Sequence, residues 1–306
     1  MLSNNRNRAI LALIIANIIW GAASPIFKLT LTNLPPFTFA FLRFFLASFL
    51  LLPFAWKYLS FEKKDYKKIF LIGFFGVTIH IAFYFLGLQR APSINAPIIA
   101  SSGPVFLYLF SLIILHEKHH PKVLAGLIIS LIGVLIIVSR PFIEHGLETS
   151  ILGNLFFVLA TLGAVGHAIV SKEILPKYQA VAITYASFII GSLTFLPFFL
   201  YELITFDPFK SIDFTGYSGL LYGIFLSSAT AYFLFEWGIK KLQAQEVGLF
   251  TYIDPIVTAI IAIPLLNEVV TPTYLVGALF IFSGILFAER HRPTAHHLHT
   301  VKHVKG

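Results

Sequence analysis

The sequence contains no cysteine and little charge, since charged side chains make up only 12% of its 306 residues. The absence of cysteine excludes disulfides, thiolate metal sites and cysteine nucleophiles. The remaining composition is apolar, with 57% hydrophobic residues and a mean hydropathy of +0.84. A soluble globular chain of this size cannot bury so much apolar surface. The composition therefore predicts an integral membrane protein.

Apolar runs long enough to cross a bilayer as helices, at about 20 residues each, occur ten times along the chain. The connections between them are short, and none is large enough for a soluble domain. The first run is too long for a signal-peptide core and is predicted to be a retained helix. We therefore predict an all-α membrane protein with ten transmembrane helices. The predicted spans are residues 9–30, 36–57, 69–89, 92–116, 122–140, 151–172, 179–201, 215–239, 244–266 and 273–290.

The distribution of Lys and Arg predicts the orientation of these spans. With the N-terminus in the cytoplasm, seventeen of the 22 basic residues lie on the cytoplasmic side, and only Arg90, Arg140 and Lys210 lie on the other. Basic residues are enriched in cytoplasmic loops. We therefore predict a multi-pass protein of the cell membrane with both termini in the cytoplasm. The net charge of +8 reflects this bias and does not indicate nucleic-acid binding.

An internal repeat relates the two halves of the chain. Adding 151 to a position in residues 87–133 reaches an identical residue eight times, and six of the eight are Gly, Pro or Glu. The pairs are Gly87 with Gly238, Pro104 with Pro255, Leu115 with Leu266, Glu117 with Glu268, Pro121 with Pro272, Leu124 with Leu275, Gly126 with Gly277 and Gly133 with Gly284. At the start of each half a weaker offset of 144 pairs Lys28 with Lys172 and Phe44 with Phe188.

The repeat predicts two inverted halves, because each half holds an odd number of spans. We predict a first repeat at residues 1–141, a second at 151–290 and a cytoplasmic His-rich tail at 291–306 that is expected to be disordered. Inverted repeats are typical of secondary transporters, which bind substrate near the midplane between the repeats and expose it alternately. The alternative is a duplicated membrane protein with another role.

Several segments resemble the drug/metabolite transporter superfamily, and specifically its EamA-type members with two five-helix repeats. They are WGAASPIFK (20–28), LRFFLAS (42–48), SSGPVFLYLFSLIILHEK (101–118), AGLIISLIGVLI (125–136) and the repeat of the last two at 252–287. Each motif is weak alone, but two copies in order within ten spans are specific. The resemblance covers nearly the whole chain.

The resemblance implies a helical bundle with cytoplasmic termini and a central cavity lined mainly by spans 1, 3, 4, 6, 8 and 9. Members of this superfamily move amino acids, other small metabolites or drugs, commonly outward, and some are coupled to protons. The resemblance implies no enzyme activity and no cofactor. The second copy has Ser187 where it would repeat Arg43, so any role of Arg43 is not duplicated.

Polar and aromatic residues at helical spacing within the spans are the candidate substrate-binding residues, because polar groups in membrane helices tend to face the protein interior. The candidates are Asn17, Trp20, His80, Tyr84, Ser102, His167, Tyr232, Tyr252 and Asp254. For the small residues on the same stripes the competing interpretation is close helix packing. For the aromatic residues it is ordinary core packing. The pattern predicts no catalytic residue and no metal site.

Asp254 is the strongest of these candidates. It lies ten residues into the ninth span, about 15 Å deep, where a charge that faces lipid costs several kcal/mol. It must therefore face a cavity, be paired or be protonated. Pro255 is expected to kink the helix and to free the carbonyl of Thr251. Asp254 is thus a candidate for ammonium binding and for proton coupling. The alternative is a structural carboxylate, paired through His80, His167 or Tyr232.

Other charged residues near the span ends have competing interpretations. The long stem of Lys28 can reach the membrane interface. Arg43 lies about two turns into its span, where an ion pair or carboxylate binding is expected. Glu117 and Glu268 each end a span four residues before a proline and are predicted to cap the helix that follows.

Two other functional classes fit the sequence less well. The segment HEKHH (116–120) resembles part of a membrane di-iron site, but such sites need more clustered histidines than the chain offers. A channel would need rings of charge or an ordered filter.

The sequence therefore predicts a secondary transporter of a small metabolite. We expect an amino acid or related zwitterion, moved outward by alternating access, with the lipid bilayer as its surroundings and a proton as the candidate coupling ion. The alternative substrates are organic cations and drugs, or other metabolites such as nucleosides and phosphorylated sugars.

Overall fold

The computed structural model describes residues 2–103, 106, 110, 121–145, 149–239, 250 and 252–290, and all regular structure within them is helical. We number the helices as follows: α1 Leu2–Thr30, α2 Pro36–Ala55, α3 Tyr66–Gly73 with Phe74–Ile79 and His80–Leu88, α4 beginning with Asn95–Ala100, α5 Pro121–His145, α6 Thr149–Ile174, α7 Ala180–Phe206, α8 Phe214–Leu221 with Tyr222–Thr230 and Ala231–Ile239, α9 Ile253–Leu266 and α10 Pro272–Arg290. The middle segments of α3 and α8 are π-helical.

The helices follow the predicted spans closely. Parts of predicted spans 92–116 and 244–266 lie outside the described residues, as do Thr251, Glu117, the HEKHH segment and the tail. Within the described residues, seven helices are long and apolar enough to cross a membrane, and α9 and α10 contain shorter apolar helices. The prediction of an all-α membrane protein is confirmed.

The packing of α5 against α10 shows that the two repeats are inverted. A Cβ atom added at Gly126 would lie 2.5 Å from the carbonyl oxygen of Gly284, and one at Gly133 would lie 2.5 Å from that of Gly277. Residue numbers rise along α5 as they fall along α10, so the helices are antiparallel. Because the offset of 151 makes α5 and α10 equivalent, the two halves have opposite directions.

Helices α2 and α7 pair in the same antiparallel way. The rings of Phe44 and Phe188, which the offset of 144 makes equivalent, have centroids 5.0 Å apart. At the other end of the pair, the Glu202 carboxylate accepts hydrogen bonds from the backbone N–H groups of Phe37 and Thr38. These bonds satisfy donors at the start of α2 that have no partner within the helix.

The remaining inner helices form two groups. Helix α1 packs against α8 and α9, whereas α6 packs against α3 and α4. The internal repeat exchanges these two groups, since it relates α1 to α6, α8 to α3 and α9 to α4. The space between the two groups is the centre of the protein.

Because Gly133 is closely packed, adding one methyl group at this position should strongly lower the stability of the protein. Gly133→Ala should lower the stability of the folded protein by at least about 2 kcal/mol, because the methyl group meets backbone that cannot move aside cheaply. Thermal unfolding in detergent measures the change. The control is Gly103→Ala, where the nearest heavy atom is Cγ2 of Thr161 at 3.7 Å. Equal melting temperatures for the two variants would contradict this account of the α5–α10 contact.

Candidate functional site

A central cavity of about 260 Å³ lies between the two groups of helices. It is lined by side chains from α1, α3, α4, α6, α8 and α9, as expected, and also by Arg43 of α2. Five of the predicted site residues line it: Trp20, His80, Tyr84, Tyr232 and Asp254. The structure therefore brings together residues that are up to 234 positions apart in sequence.

Hydrogen bonds and ring contacts hold the aromatic walls of the cavity in place. Nε1 of Trp20 donates to the carbonyl oxygen of Ser227 at 3.0 Å. The Trp20 ring meets the Tyr232 ring edge-on, with centroids 5.3 Å apart. Between α1 and α3, the hydroxyl groups of Ser24 and Tyr84 are 2.7 Å apart. These rings present fixed faces to the cavity, which suits a partly apolar or cationic ligand.

Asp254 lies in the first turn of α9, which begins at Ile253. Pro255 is the third residue of α9 as described, whereas Thr251, whose carbonyl was expected to be freed, lies outside the described residues. Helix α1 comes close at Gly21, where an added Cβ would lie 2.9 Å from the carbonyl oxygen of Asp254. Since Gly21 is near the middle of α1, Asp254 is deep within the bundle.

The carboxylate of Asp254 has an unused acceptor. Its Oδ1 atom is buried and accepts no hydrogen bond from any residue that the structure describes. The alternative of a carboxylate paired through histidine gains no support, because Nδ1 of His80 contacts the carbonyl oxygen of Ala160 and Nδ1 of His167 contacts that of Ile72. A buried acceptor without a donor is costly. A ligand ammonium group or a proton would satisfy it.

Three predicted site residues line neither of the two described cavities. The side-chain amide of Asn17 donates to the carbonyl oxygen of Leu13 within its own helix. The Ser102 hydroxyl likewise donates to Ile99. The Tyr252 ring packs edge-on against Phe282, with centroids 5.4 Å apart.

A second cavity of about 160 Å³ shares His80 and Tyr232 with the central one. It is lined by His167 and extends to Leu175, near the loop between α6 and α7. We call this end of the protein the loop-175 end, and the opposite end, where α3 meets α4, the loop-91 end. The predicted residue His167 therefore belongs to the approach from the loop-175 end.

Arg43 and Ser227 are polar residues of the cavity wall that the candidate set did not include. Arg43 was noted as a charge within a span but was not placed in the candidate set. Ser227 lines the cavity and was not among the candidates. The π-helical segment of α8 adds a residue to the turn and rotates the following face.

A cluster that we call the loop clamp crosses the loop-91 end. It consists of Lys28, Glu268 and residues 91–94. Nζ of Lys28 lies 3.0 Å from Oε1 of Glu268 and donates to the carbonyl oxygen of Ala91 at 2.7 Å. The same carboxylate accepts hydrogen bonds from N and Oγ of Ser93 and from N of Ile94, at 2.6, 3.0 and 3.0 Å. The clamp therefore ties the α1–α8–α9 group to the α3–α4–α6 group.

The loop clamp corrects two expectations. Glu268 does not cap α10, because Oγ1 of Thr271 accepts the hydrogen bond from N of Tyr274 instead. Lys28 does not simply extend to the membrane interface, since its ammonium group is bound within the clamp.

The loop-175 end has its own polar contacts. Nζ of Lys177 lies 3.1 Å from Oδ1 of Asp65, and the hydroxyl group of Tyr178 donates to Oδ2 at 2.9 Å. Lys68 and Glu173 form a further ion pair. All these contacts link the start of α3 to the end of α6 and the loop that follows it, within one group of helices. None of these contacts between described residues joins one group of helices to the other.

A family model described as "EamA-like transporter family" matches residues 7–139 and again 151–289. An "Uncharacterized transporter" of Archaeoglobus fulgidus is 28% identical over 94% of this chain and 100% of its own length. The "Uncharacterized transporter YetK" of Bacillus subtilis is 27% identical over 90% of this chain and 85% of its own.

A more distant relative and a solved structure are also similar to this chain over most of its length. A "Probable amino-acid metabolite efflux pump" of Escherichia coli is 25% identical over 92% of this chain and 94% of its own length. A solved crystal structure has the same fold, with a TM-score of 0.63 at 17% identity over 92% of this chain and 96% of its own. The family is one of transporters and not of enzymes, and a transporter has a small-molecule substrate. With both halves matched, the chain belongs to the EamA-like transporter family.

Proposed function

We propose that the protein exports amino acids or related zwitterions by alternating access. The observation that carries this proposal is Asp254, whose buried Oδ1 atom has no donor among the described residues and whose side chain lines a cavity walled by Trp20, Tyr84 and Tyr232. A substrate ammonium group would bind this carboxylate and lie against the rings. The name of the Escherichia coli relative supports the same substrate class.

The orientation that fits this function places both termini in the cytoplasm, with repeats at 1–141 and 151–290 and a cytoplasmic tail at 291–306. The support is the excess of Lys and Arg in the loops of that side. The loop-175 end then faces the cytoplasm, and the loop clamp closes the outer side. The second cavity is the cytoplasmic approach to the central one.

The proposed cycle exchanges substrate for a proton at Asp254. A carboxylate in this position needs a cation whenever the cavity is closed, because an unpaired buried charge is costly. The substrate ammonium group neutralises it on the outward passage, and a proton neutralises it on the return. An inward proton gradient would thereby drive export.

Counterflow in liposomes tests the substrate class. Purified protein is reconstituted into liposomes loaded with one unlabelled amino acid, and uptake of the same labelled amino acid is followed across a panel. We expect transient accumulation above the level of empty liposomes for at least one amino acid. Folded protein that accumulates none of the panel would contradict the proposal.

Organic cations are the second candidate substrate class. The same combination of a carboxylate and three aromatic rings binds cations that lack a carboxyl group. In the counterflow assay, exchange of labelled quaternary or tertiary amines without exchange of amino acids would favour this alternative.

A further inference from the structure

Arg43 is a buried cation in the wall of the central cavity. Its side chain is on α2 and the residue is only 3% exposed. The residue has no counterpart in the second repeat, which carries Ser187 at the equivalent position. Because only one of the two equivalent positions carries a charge, the repeated fold does not require a charge there.

Neighbouring groups fix the guanidinium group but do not neutralise it. Nε donates to Oγ of Ser228 at 2.7 Å, and Nη2 donates to Oγ of Ser227 at 3.0 Å. The rings of Phe27 and Phe44 lie on the guanidinium group, each with its centroid 4.7 Å from Cζ. Aromatic faces stabilise a cation by their quadrupole but bring no charge.

No carboxylate of the described residues forms an ion pair with Arg43, and its Nη1 atom donates to none of their polar groups. An unpaired buried charge is costly, so its usual explanation is a ligand of opposite charge. Arginine presents paired N–H donors that match a carboxylate. The Nη1 donors, which have no partner among the described residues, can therefore bind an anionic group that enters the cavity.

Asp254 is the other charged side chain in the described wall of this cavity, and it forms no ion pair with Arg43. One cavity thus holds a cation and an anion on different helices, α2 and α9, each without a charged partner among the described residues. A ligand that carries both charges would neutralise both at once.

We propose that Arg43 binds the carboxylate of the substrate and selects zwitterions over amines. This inference rests on the proposed function, in which Asp254 binds the ammonium group. Arg43 then determines specificity, because an amine without a carboxyl group leaves the buried guanidinium group unpaired. Discrimination of this kind is strong when a missing ligand group leaves a buried polar group without a partner.

The test compares each amino acid that the wild type exchanges with the amine formed by removing its carboxyl group. In Arg43→Gln, we expect the apparent affinity for the amino acid to fall at least about 30-fold, in line with the loss of a buried charge pair. Exchange of the amine should remain equal to or above that of the wild type. Retained exchange of the amine also shows that the variant is folded.

The matched control is Arg90→Gln. The Arg90 guanidinium also lies near a ring, with Cζ 5.5 Å from the centroid of Phe156, but the residue is not part of the cavity wall. The Arg90→Gln variant should discriminate between amino acid and amine as strongly as the wild type does. If Arg43→Gln discriminated between amino acid and amine as the wild type does, or lost the same affinity for both ligands, the role of Arg43 would be overturned and the proposed function would stand. A wild type that exchanges no amino acid would overturn this inference together with the proposed function.

Discussion

Asp254→Asn should abolish transport driven by a pH gradient and weaken the apparent affinity for substrate at least about 30-fold, which corresponds to about 2 kcal/mol for a lost partner of a buried charge. The amide is nearly isosteric, so the shape of the cavity is kept. It carries no charge for the ammonium group and takes up no proton. Counterflow and gradient-driven transport in the same liposomes measure the two effects separately.

The control for this substitution is Asp207→Asn, which makes the same chemical change on an exposed loop. Asp207 has a backbone φ of 43°, in the left-handed region that asparagine also tolerates. We therefore expect wild-type transport and stability from it. Full gradient-driven transport by Asp254→Asn would exclude proton exchange at this residue. Wild-type affinity of Asp254→Asn for substrate would in addition exclude binding of the substrate ammonium group at this residue.

Glu268→Gln should shift the protein towards a state that is open at the loop-91 end. The carboxylate accepts three hydrogen bonds from Ser93 and Ile94 and pairs with Lys28, and its side chain is only 7% exposed. The amide has one acceptor oxygen and places its own N–H groups against these donors. Losing about 2 kcal/mol of charge-assisted hydrogen bonding would raise the ratio of open to closed protein about 30-fold.

The measurement uses an introduced cysteine as the reporter. The chain has no cysteine of its own, so all labelling occurs at the introduced residue. Ala100 lines the cavity, and its replacement by cysteine reports access by a membrane-impermeant maleimide. External labelling should be faster when Glu268→Gln is added. The matched control is Glu173→Gln, which breaks the exposed ion pair with Lys68 at the opposite end. Equal rates of external labelling in all three proteins would show that the loop clamp does not hold the outer side closed.

The positions of the helices could be predicted from sequence because the signals are local and strong. Each span is a long apolar run, and Gly126, Gly133, Gly277 and Gly284 recur at a fixed offset. The same four glycines form the contact between α5 and α10 in the structure. The repeat therefore predicted the inversion, whereas the contact that these glycines make was found only in the structure.

The composition of the cavity was predicted only in part. Asp254, His80 and Tyr84 stand out because polar groups in membrane spans are rare. Asn17 stands out equally, yet it bonds to its own helix. Its position in the stripe could not show that Nδ2 would bond within the helix, nor that Oδ1 would be buried without a donor among the described residues.

Contacts between distant segments could not be predicted. The loop clamp joins Lys28 to Glu268, which are 240 residues apart. Sequence spacing shows which residues share one helix face, but not which faces meet. The π-helical segments of α3 and α8 depart from regular α-helical spacing, although His80, Tyr84 and Tyr232 line the cavity as predicted. Arg43 was undervalued because its partners Ser227 and Ser228 are 184 and 185 residues away on another helix.

The most direct test of the central claim asks whether one cavity serves both sides of the membrane. The Ala100→Cys protein is reconstituted in a known orientation, and an impermeant maleimide is applied from each side, with and without a saturating exchanged amino acid. The account predicts labelling of the same cysteine from both sides and protection by the amino acid from both. Labelling from one side under every condition, or labelling that no exchanged substrate slows, would contradict alternating access to this cavity.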